Sequence, residues 1–428
     1  MIKLATKDKC TGCAACYNVC GQNAINMEAD CEGFLLPIID GNKCIECHLC
    51  EKTCPILTSK SPKSDVKPKT YALWSLMDRT VSSSGGAFSA FSRLILERGG
   101  IVFGASFDGD LKCKHVGVTD IEGLKALRGS KYVQSNIGDS FQQVKESLRR
   151  GKYVLFCGTP CQIAGLKAYL RKDYDRLLTL DLACHGVPSQ AVFDAYISKL
   201  SLRFLEFSRI DGFEFRQRDG WGKSPSVSLD GKLRLIFGKD NLYMEAFDRS
   251  MMFRKSCYSC QFAQLPRVGD CSIADFWGIG RHGKPFKHNI TQGVSLVMVN
   301  NEKGMLFLNE LKDVFIEERN LDEALIENHN LVRPSVLHPH REAIIKAFLN
   351  KSKSLKDIDT EFHIVNRNIK SIIKEYATKW HVFDFTKSIY NMILTKVNSG
   401  GGVNSTPAYH VFHIPNEAMH QVACLMNY

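Results

Sequence analysis

Two cysteine runs near the start carry the clearest chemistry. Cys10, Cys13, Cys16 and Cys20 form one C-x2-C-x2-C-x3-C run; Cys44, Cys47, Cys50 and Cys54 form a second, closed by Pro55. This spacing suits two 4Fe-4S clusters. Three thiolates two residues apart wrap one face of a cubane, and the fourth turns to the neighbouring cluster. The expected sets are Cys10, Cys13, Cys16 and Cys54 for one cluster, and Cys44, Cys47, Cys50 and Cys20 for the other. Zinc usually takes four ligands from two C-x2-C knuckles across a longer gap, and the doubled triple repeat argues against it. A disulfide framework suits a small secreted chain, whereas MIKLATKDKC does not read as a secretory signal. Gly21 stands where proline is common, which loosens the first turn without touching the ligands. His48, between two cysteines, reads as a solvated neighbour rather than a ligand.

The chain has 428 residues, 17 of them cysteine, with 56 Lys and Arg against 45 Asp and Glu. That length predicts two or three domains, and the cysteine usage predicts a reducing compartment. The basic excess is spread along the chain and reads mainly as a solvated surface, with an acidic redox partner, a phosphate-bearing cofactor or a membrane surface as alternatives. No aromatic-basic platform points to nucleic acid. No apolar run approaches the ~20 residues of an integral membrane span. The expected location is cytoplasmic.

The elements that must position this chemistry follow in order. Residues 1–57 read as a dicluster, ferredoxin-like module whose folding depends on its metal. Residues 58–69 (TSKSPKSDVKPK) read as a linker. From Tyr71, strands alternate with helices: YALWS, the helix AFSAFSRLILERGG, IVFGASF, a helix over 137–150, YVLFC, the helix IAGLKAYLRK and LLTLDLAC. This predicts an α/β domain over 70–320 with a mainly parallel sheet. Residues 205–300 read as strand-rich, with a helix over 242–253. A helical extension over 321–398 and a poorly structured tail over 399–428 complete the expectation. Ligands of such sheets bind at the carboxyl ends of strands, where GTPCQ and ACHGVPS fall.

SSGGAFSAF, LRGSKYVQS, FCGTPCQIAGL, DLACHGVPS, SCYSCQFA and DFWGIG occur in that order. With the opening cysteines they resemble the coenzyme F420 hydrogenase/dehydrogenase beta-subunit family over roughly residues 5–300. The resemblance implies a flavoprotein carrying FAD and 4Fe-4S clusters. It implies electron exchange between clusters and a substrate such as the deazaflavin coenzyme. Other members reduce a chlorophyll derivative or appear among polysaccharide-assembly proteins, so the substrate stays open.

Beside the resemblance, Cys161 and Cys184 fall at successive strand ends, and Cys257 and Cys260 make a C-x2-C hook. Two such cysteines and a hook can surround a third cubane. Cys157 and Cys271 are alternates, and buried inert thiols or zinc are the rival readings. Cys31, Cys113 and Cys424 have no partner pattern. For the flavin, Ser83, Ser84, Gly85 and Gly86 precede a helix whose N–H groups could take a pyrophosphate. Lys131 could pair with a phosphate or the flavin ring. Thr159 and Gln162 could bond the ring or merely cap the following helix. His185 could deliver a proton. No G-x-G-x-x-G supports a nicotinamide site. The function expected is an iron–sulfur flavoprotein oxidoreductase, taking electrons from a ferredoxin or another donor protein and passing them to a small organic substrate. The alternatives are a non-catalytic electron-transfer subunit of a larger complex and a metal-stabilised interaction module.

Overall fold

Runs such as VLFCG and LLTLDL are too short for buried helices and too apolar for surface strands, and they form the centre of a sheet. A computed structural model describes residues 2–58 and 67–365, apart from 206, 208, 217–220 and 223–224. Most of the expected linker, the end of the helical extension, the tail and Cys424 lie outside the described residues.

The N-terminal module contains α1 (Ala15–Val19), the hairpin β1 (Ile25–Ala29) and β2 (Leu35–Ile39), α2 (Leu49–Thr53) and α3 (Pro55–Thr58). The body begins with β3 (Lys69–Ser75), α4 (Ala87–Glu97), β4 (Ile101–Phe107), β5 (Cys113–Val118), α5 (Ile121–Leu127) and α6 (Ser140–Arg149). It continues with β6 (Val154–Gly158), α7 (Pro160–Leu170), β7 (Leu177–Leu182) and α8 (Gln190–Ser201). A small antiparallel sheet follows, of β8 (Ile210–Glu214), β9 (Ser226–Leu229) and β10 (Lys232–Leu235). Then come α9 (Leu242–Asp248), β11 (Cys271–Asp275), β12 (Ser295–Val299), α10 (Glu302–Asn309), β13 (Val314–Arg319), α11 (Leu321–Glu327), α12 (Arg341–Leu349) and α13 (Leu355–Phe362).

The main sheet has the order β13-β3-β12-β11-β7-β6-β4-β5. Its centre, β11-β7-β6-β4, is parallel. β12, β13 and β5 pair antiparallel with their neighbours. β3 therefore points with the central four, and five of the eight strands share one direction. The alternating faces of β6 separate two layers. Leu155 packs with Phe91 and Ile95 of α4, whereas Val154 and Phe156 pack with Phe141 of α6 and Ile163 and Leu166 of α7. Cys13, Ala14 and Ala15 of the N-terminal module belong to this second layer, so the first cysteine loop is built into the core of the body.

Helix α9 ends before the expected boundary, because Ser250 takes φ 56° and turns the chain. Helix α12, within the expected extension, packs Ile344, Ile345 and Phe348 into the cluster around Phe193, Tyr196 and Tyr243. No helix among the described residues is long and apolar enough to cross a membrane.

Candidate functional site

Strands that share a direction bring their carboxyl ends to one edge of the sheet. The ends of β4, β6, β7 and β11 line a cavity of about 320 Å³ there, together with the loop before α4. That size lies in the range of small-molecule sites, roughly 300–1,000 Å³.

Cys161, Cys184, Cys257 and Cys260 meet at this cavity. Cys161 opens α7, and Cys184 follows β7. Cys257 and Cys260 lie on a 3-10 turn over Lys255–Ser259 and at its cap. Burial pushes Cys161 up to about 11 and Cys257 up to about 12, each raised further by neighbouring thiols of the set. Cys184 rises for the same two reasons. As free thiols they would be neutral; a metal would deprotonate them. The hydroxyl Oγ1 of Thr159 lies 3.2 Å from Cys161 Sγ, placed to donate to a thiolate.

Cys10, Cys13, Cys16 and Cys54 line a second, small hollow of about 20 Å³, with Met27, Pro37 and Ile56 as apolar walls. This is the set expected from spacing, with Cys54 rather than Cys20 joining the first repeat. Cys13 feels the charge of Cys161, so the two sets are neighbours. Of the second set, Cys47 is exposed, Cys20 and Cys44 are half-buried and Cys50 is buried; the backbone N–H of Ala24 donates to Cys20 Sγ at 3.3 Å. Among the described residues, no three Cys, His, Asp or Glu side chains close on one point as a single ion requires. Cys10, Cys13, Cys16 and Cys54 share one hollow, and Cys161, Cys184, Cys257 and Cys260 line the cavity.

The other predicted residues divide. Ser83, Ser84, Gly86, Lys131, Thr159, Gln162 and His185 all line the cavity. Gly85 packs instead against strands: a Cβ there would meet Leu73 O at 2.3 Å and Ser295 N at 2.5 Å. Gly86, at φ 86°, is the N-cap of α4 and makes no side-chain cap bond; Ala87 N donates to Ser295 Oγ at 3.3 Å, and Gly86–Ser89 line the cavity. Ser84 Oγ donates to Val294 O at 3.1 Å, and Ser83 Oγ accepts from Ser130 N at 3.3 Å.

Lys131 lines the cavity with its ammonium held by backbone carbonyls. Its Nζ donates to Ala126 O, Leu127 O and Arg128 O at 2.9, 3.0 and 2.7 Å. Three donors on three carbonyls cap the C-terminus of α5, which holds Lys131 as a fixed charge at the cavity wall. Gln162 is likewise engaged in the cap of α7: Oε1 accepts from Thr159 N at 3.0 Å, and Nε2 donates to Ser135 Oγ at 3.0 Å. His185 is exposed, beside Cys184 and 6.1 Å from the ring of His329. Of the alternates, Cys271 is fully buried in β11, away from the cavity. Cys157 lines the cavity wall, and its carbonyl meets His115 Nε2 at 3.0 Å.

Several residues had no sequence signal. His115, buried and pushed down to about 4 by that burial, is a neutral hydrogen-bonding member of the wall, with Nδ1 2.9 Å from Ser135 Oγ. Trp277 lines the cavity and stacks on Trp221 at 4.7 Å. Thr11 lines both hollows. Arg254 stands between the two thiol sets; its place beside the hook, in FRKSCYSC, was the one available hint.

Two stretches of the chain match known protein families. Residues 9–57 match the 4Fe-4S dicluster domain, and residues 151–324 match the family described as the C terminus of the coenzyme F420 hydrogenase/dehydrogenase beta subunit. The chain is 27% identical over 319 residues to a coenzyme F420-dependent sulfite reductase of Methanocaldococcus jannaschii, covering 72% of this chain but only 47% of that protein. Among solved structures it aligns with a chain of the F420-reducing NiFe hydrogenase complex from Methanosarcina barkeri at 16% identity and a TM-score of 0.41, covering 71% of this chain and 95% of that one.

Proposed function

Starting from a chain that joins a 4Fe-4S dicluster domain to a coenzyme F420 hydrogenase/dehydrogenase beta-subunit domain, we propose an iron–sulfur flavoprotein oxidoreductase. Electrons arrive singly from a ferredoxin-like donor at the exposed Cys44–Cys47 loop and leave in pairs to an organic substrate in the cavity. The observation that carries this reading is that one cysteine loop, Ile45–His48, is exposed while four other thiols line the cavity. Cys47 is exposed, Cys13 is buried beside Cys161, and Cys161, Cys184, Cys257 and Cys260 face the cavity itself.

The donor sets fit the groups. Four soft thiols at the small hollow and four at the cavity suit iron–sulfur clusters. For a flavin, the start of α4, where Ala87 N donates to Ser295 Oγ at 3.3 Å, offers its remaining N–H groups to a pyrophosphate, with Arg128 beside it, ion-paired to Asp78 and bonded to Ser89 Oγ at 3.1 Å. Lys131 adds fixed positive charge at the wall, and Trp277 offers a flat face. A flavin held there supplies the exchange between single electrons and electron pairs. His185, exposed at the mouth, is the residue placed to hand a proton to substrate. The deazaflavin coenzyme is the substrate class favoured by the relatives, and a polysaccharide-pathway metabolite is the second.

One observation favours a second reading. The chain spans about half of the curated relative, so a non-catalytic electron-transfer subunit with its catalytic partner on another chain is the rival. Anaerobic purification with flavin quantitation separates them. The oxidoreductase reading expects about one flavin per chain, bound or bindable, and reduction of a small-molecule acceptor by the isolated chain. A chain with full iron that neither holds nor takes up flavin overturns it in favour of the rival.

A further inference from the structure

A buried guanidinium is stable only with something to answer its charge. Arg254 is 2% exposed. Its Nη1 donates to Cys10 O at 3.1 Å, its Nη2 to Leu35 O at 2.8 Å and its Nε to Gln134 Oε1 at 3.0 Å. All three acceptors are neutral. Arg341, equally buried, closes on Glu32 at 2.7 Å; Arg254 has no carboxylate partner among the described residues. The groups whose charge reaches it are the thiols of Cys10, Cys257 and Cys161, then Asp30. Cys10 belongs to the first set, and Cys257 and Cys161 to the cavity set.

The surroundings hold the cation there. Arg254 O accepts from Cys257 N at 2.9 Å, so the guanidinium and the hook are one rigid piece. Ser256 Oγ donates to the same Cys10 carbonyl at 3.1 Å, and Gln134 Nε2 donates to Thr11 O at 2.9 Å. Gly12, at φ 66°, lets this layer close: a Cβ there would sit 2.7 Å from Arg254 Nη2.

We propose that Arg254 is the shared counter-charge of the two buried thiol sets, a positioning residue that raises the reduction potentials of both clusters and binds the N-terminal module to the body. This rests on the reading that both sets hold clusters. A thiolate-ligated cluster is anionic and becomes more so on reduction, so a fixed cation beside it favours the reduced state. Among the described residues no arginine acts on Cys50 of the other N-terminal set, and Glu46 stands where the first repeat has Gly12. The cluster of that set is an internal control.

The test is potentiometric titration of the anaerobically purified full chain, followed by electron paramagnetic resonance. In Arg254→Gln the two buried clusters shift at least tenfold toward the oxidised form, about 59 mV for a one-electron couple, while the surface cluster moves less than about threefold. Arg254→Lys, which keeps the charge, restores most of the shift. Gln134→Glu places a carboxylate on an intact Arg254 and shifts the same two clusters the same way, which decides the matter if Arg254→Gln fails to assemble. Full iron, about twelve atoms per chain, with no shift or an equal shift of every cluster in Gln134→Glu overturns the role of Arg254 alone. Iron near about eight atoms in the wild type, with a shift confined to the first cluster, overturns the three-cluster reading and with it the sharing.

Discussion

Ala14, before α1, sits at φ 58°, ψ 16°, and His48, before α2, at φ 57°, ψ 13°. Cys20 and Cys54 close the two helices at φ −75° and −72°. The two cysteine repeats thus share a backbone, yet Thr11–Ala15 is buried throughout while Ile45–His48 is exposed throughout. Identical spacing fixes how thiols are presented; packing against the body decides which loop is buried and which is exposed. Gly12 and Glu46 both take positive φ, at 66° and 51°. A Cβ at Gly12 would lie 2.7 Å from Arg254 Nη2, so there any side chain collides.

Breaking the attachment of the buried repeat should have the largest effect. Arg341 holds Glu32 through two bonds of 2.8 and 2.7 Å, and both Arg341 and Phe253 O lie in the body's core. Arg341→Met leaves Glu32 unpaired and should cost about 3–5 kcal/mol, read from denaturant unfolding of the holoprotein. A change under about 1 kcal/mol would mean that the module is held elsewhere.

The swap at the matched turn should come next. Gly12→Ala combines a left-handed backbone, about 1–2 kcal/mol, with a collision worth about 1–3 kcal/mol, and its unfolding midpoint should fall accordingly. Glu46→Gly at the twin position should stay within about 1 kcal/mol of wild type. Equal penalties at both positions would erase the contrast.

Mild oxidation of the clusters followed by alkylation and peptide mass spectrometry reads the same contrast kinetically. Cys44 and Cys47 should label at least about tenfold faster than Cys10 and Cys13 at pH 8. Burial pushes Cys13 up to about 12, so in the folded chain its thiol is protonated at pH 8. Its labelling should rise only as pH climbs toward that value, since the thiolate is the reactive form. The smallest effect belongs to the rim of the buried repeat. Tyr17 donates to Asp139 at 3.0 Å across to α6, and Tyr17→Phe should cost about 0.5–1 kcal/mol in the same unfolding assay.

The thiol sets were legible because cluster ligands must recur at fixed spacing, and Cys54 was assigned to the first set on that ground alone. The strands through Phe103, Phe156 and Leu180 were legible because buried strands must be apolar. What stayed hidden depends on partners distant in sequence. Lys131 looks free until the carbonyls of α5 are seen beside it. Gln162 carries the same letter whether it meets a ligand or caps a helix. Arg254 shows its meaning only when Cys10 arrives from the far end of the chain. The antiparallel edges β5 and β13 likewise followed from pairing rather than from local pattern.

Iron and acid-labile sulfide per chain, measured on the anaerobically purified wild type and on Cys161→Ala, test the surface-to-cavity series most directly. The account predicts about twelve iron atoms falling to about eight, with the signals of the N-terminal clusters retained. About eight iron atoms in both proteins would contradict it and leave the cavity thiols without a cluster.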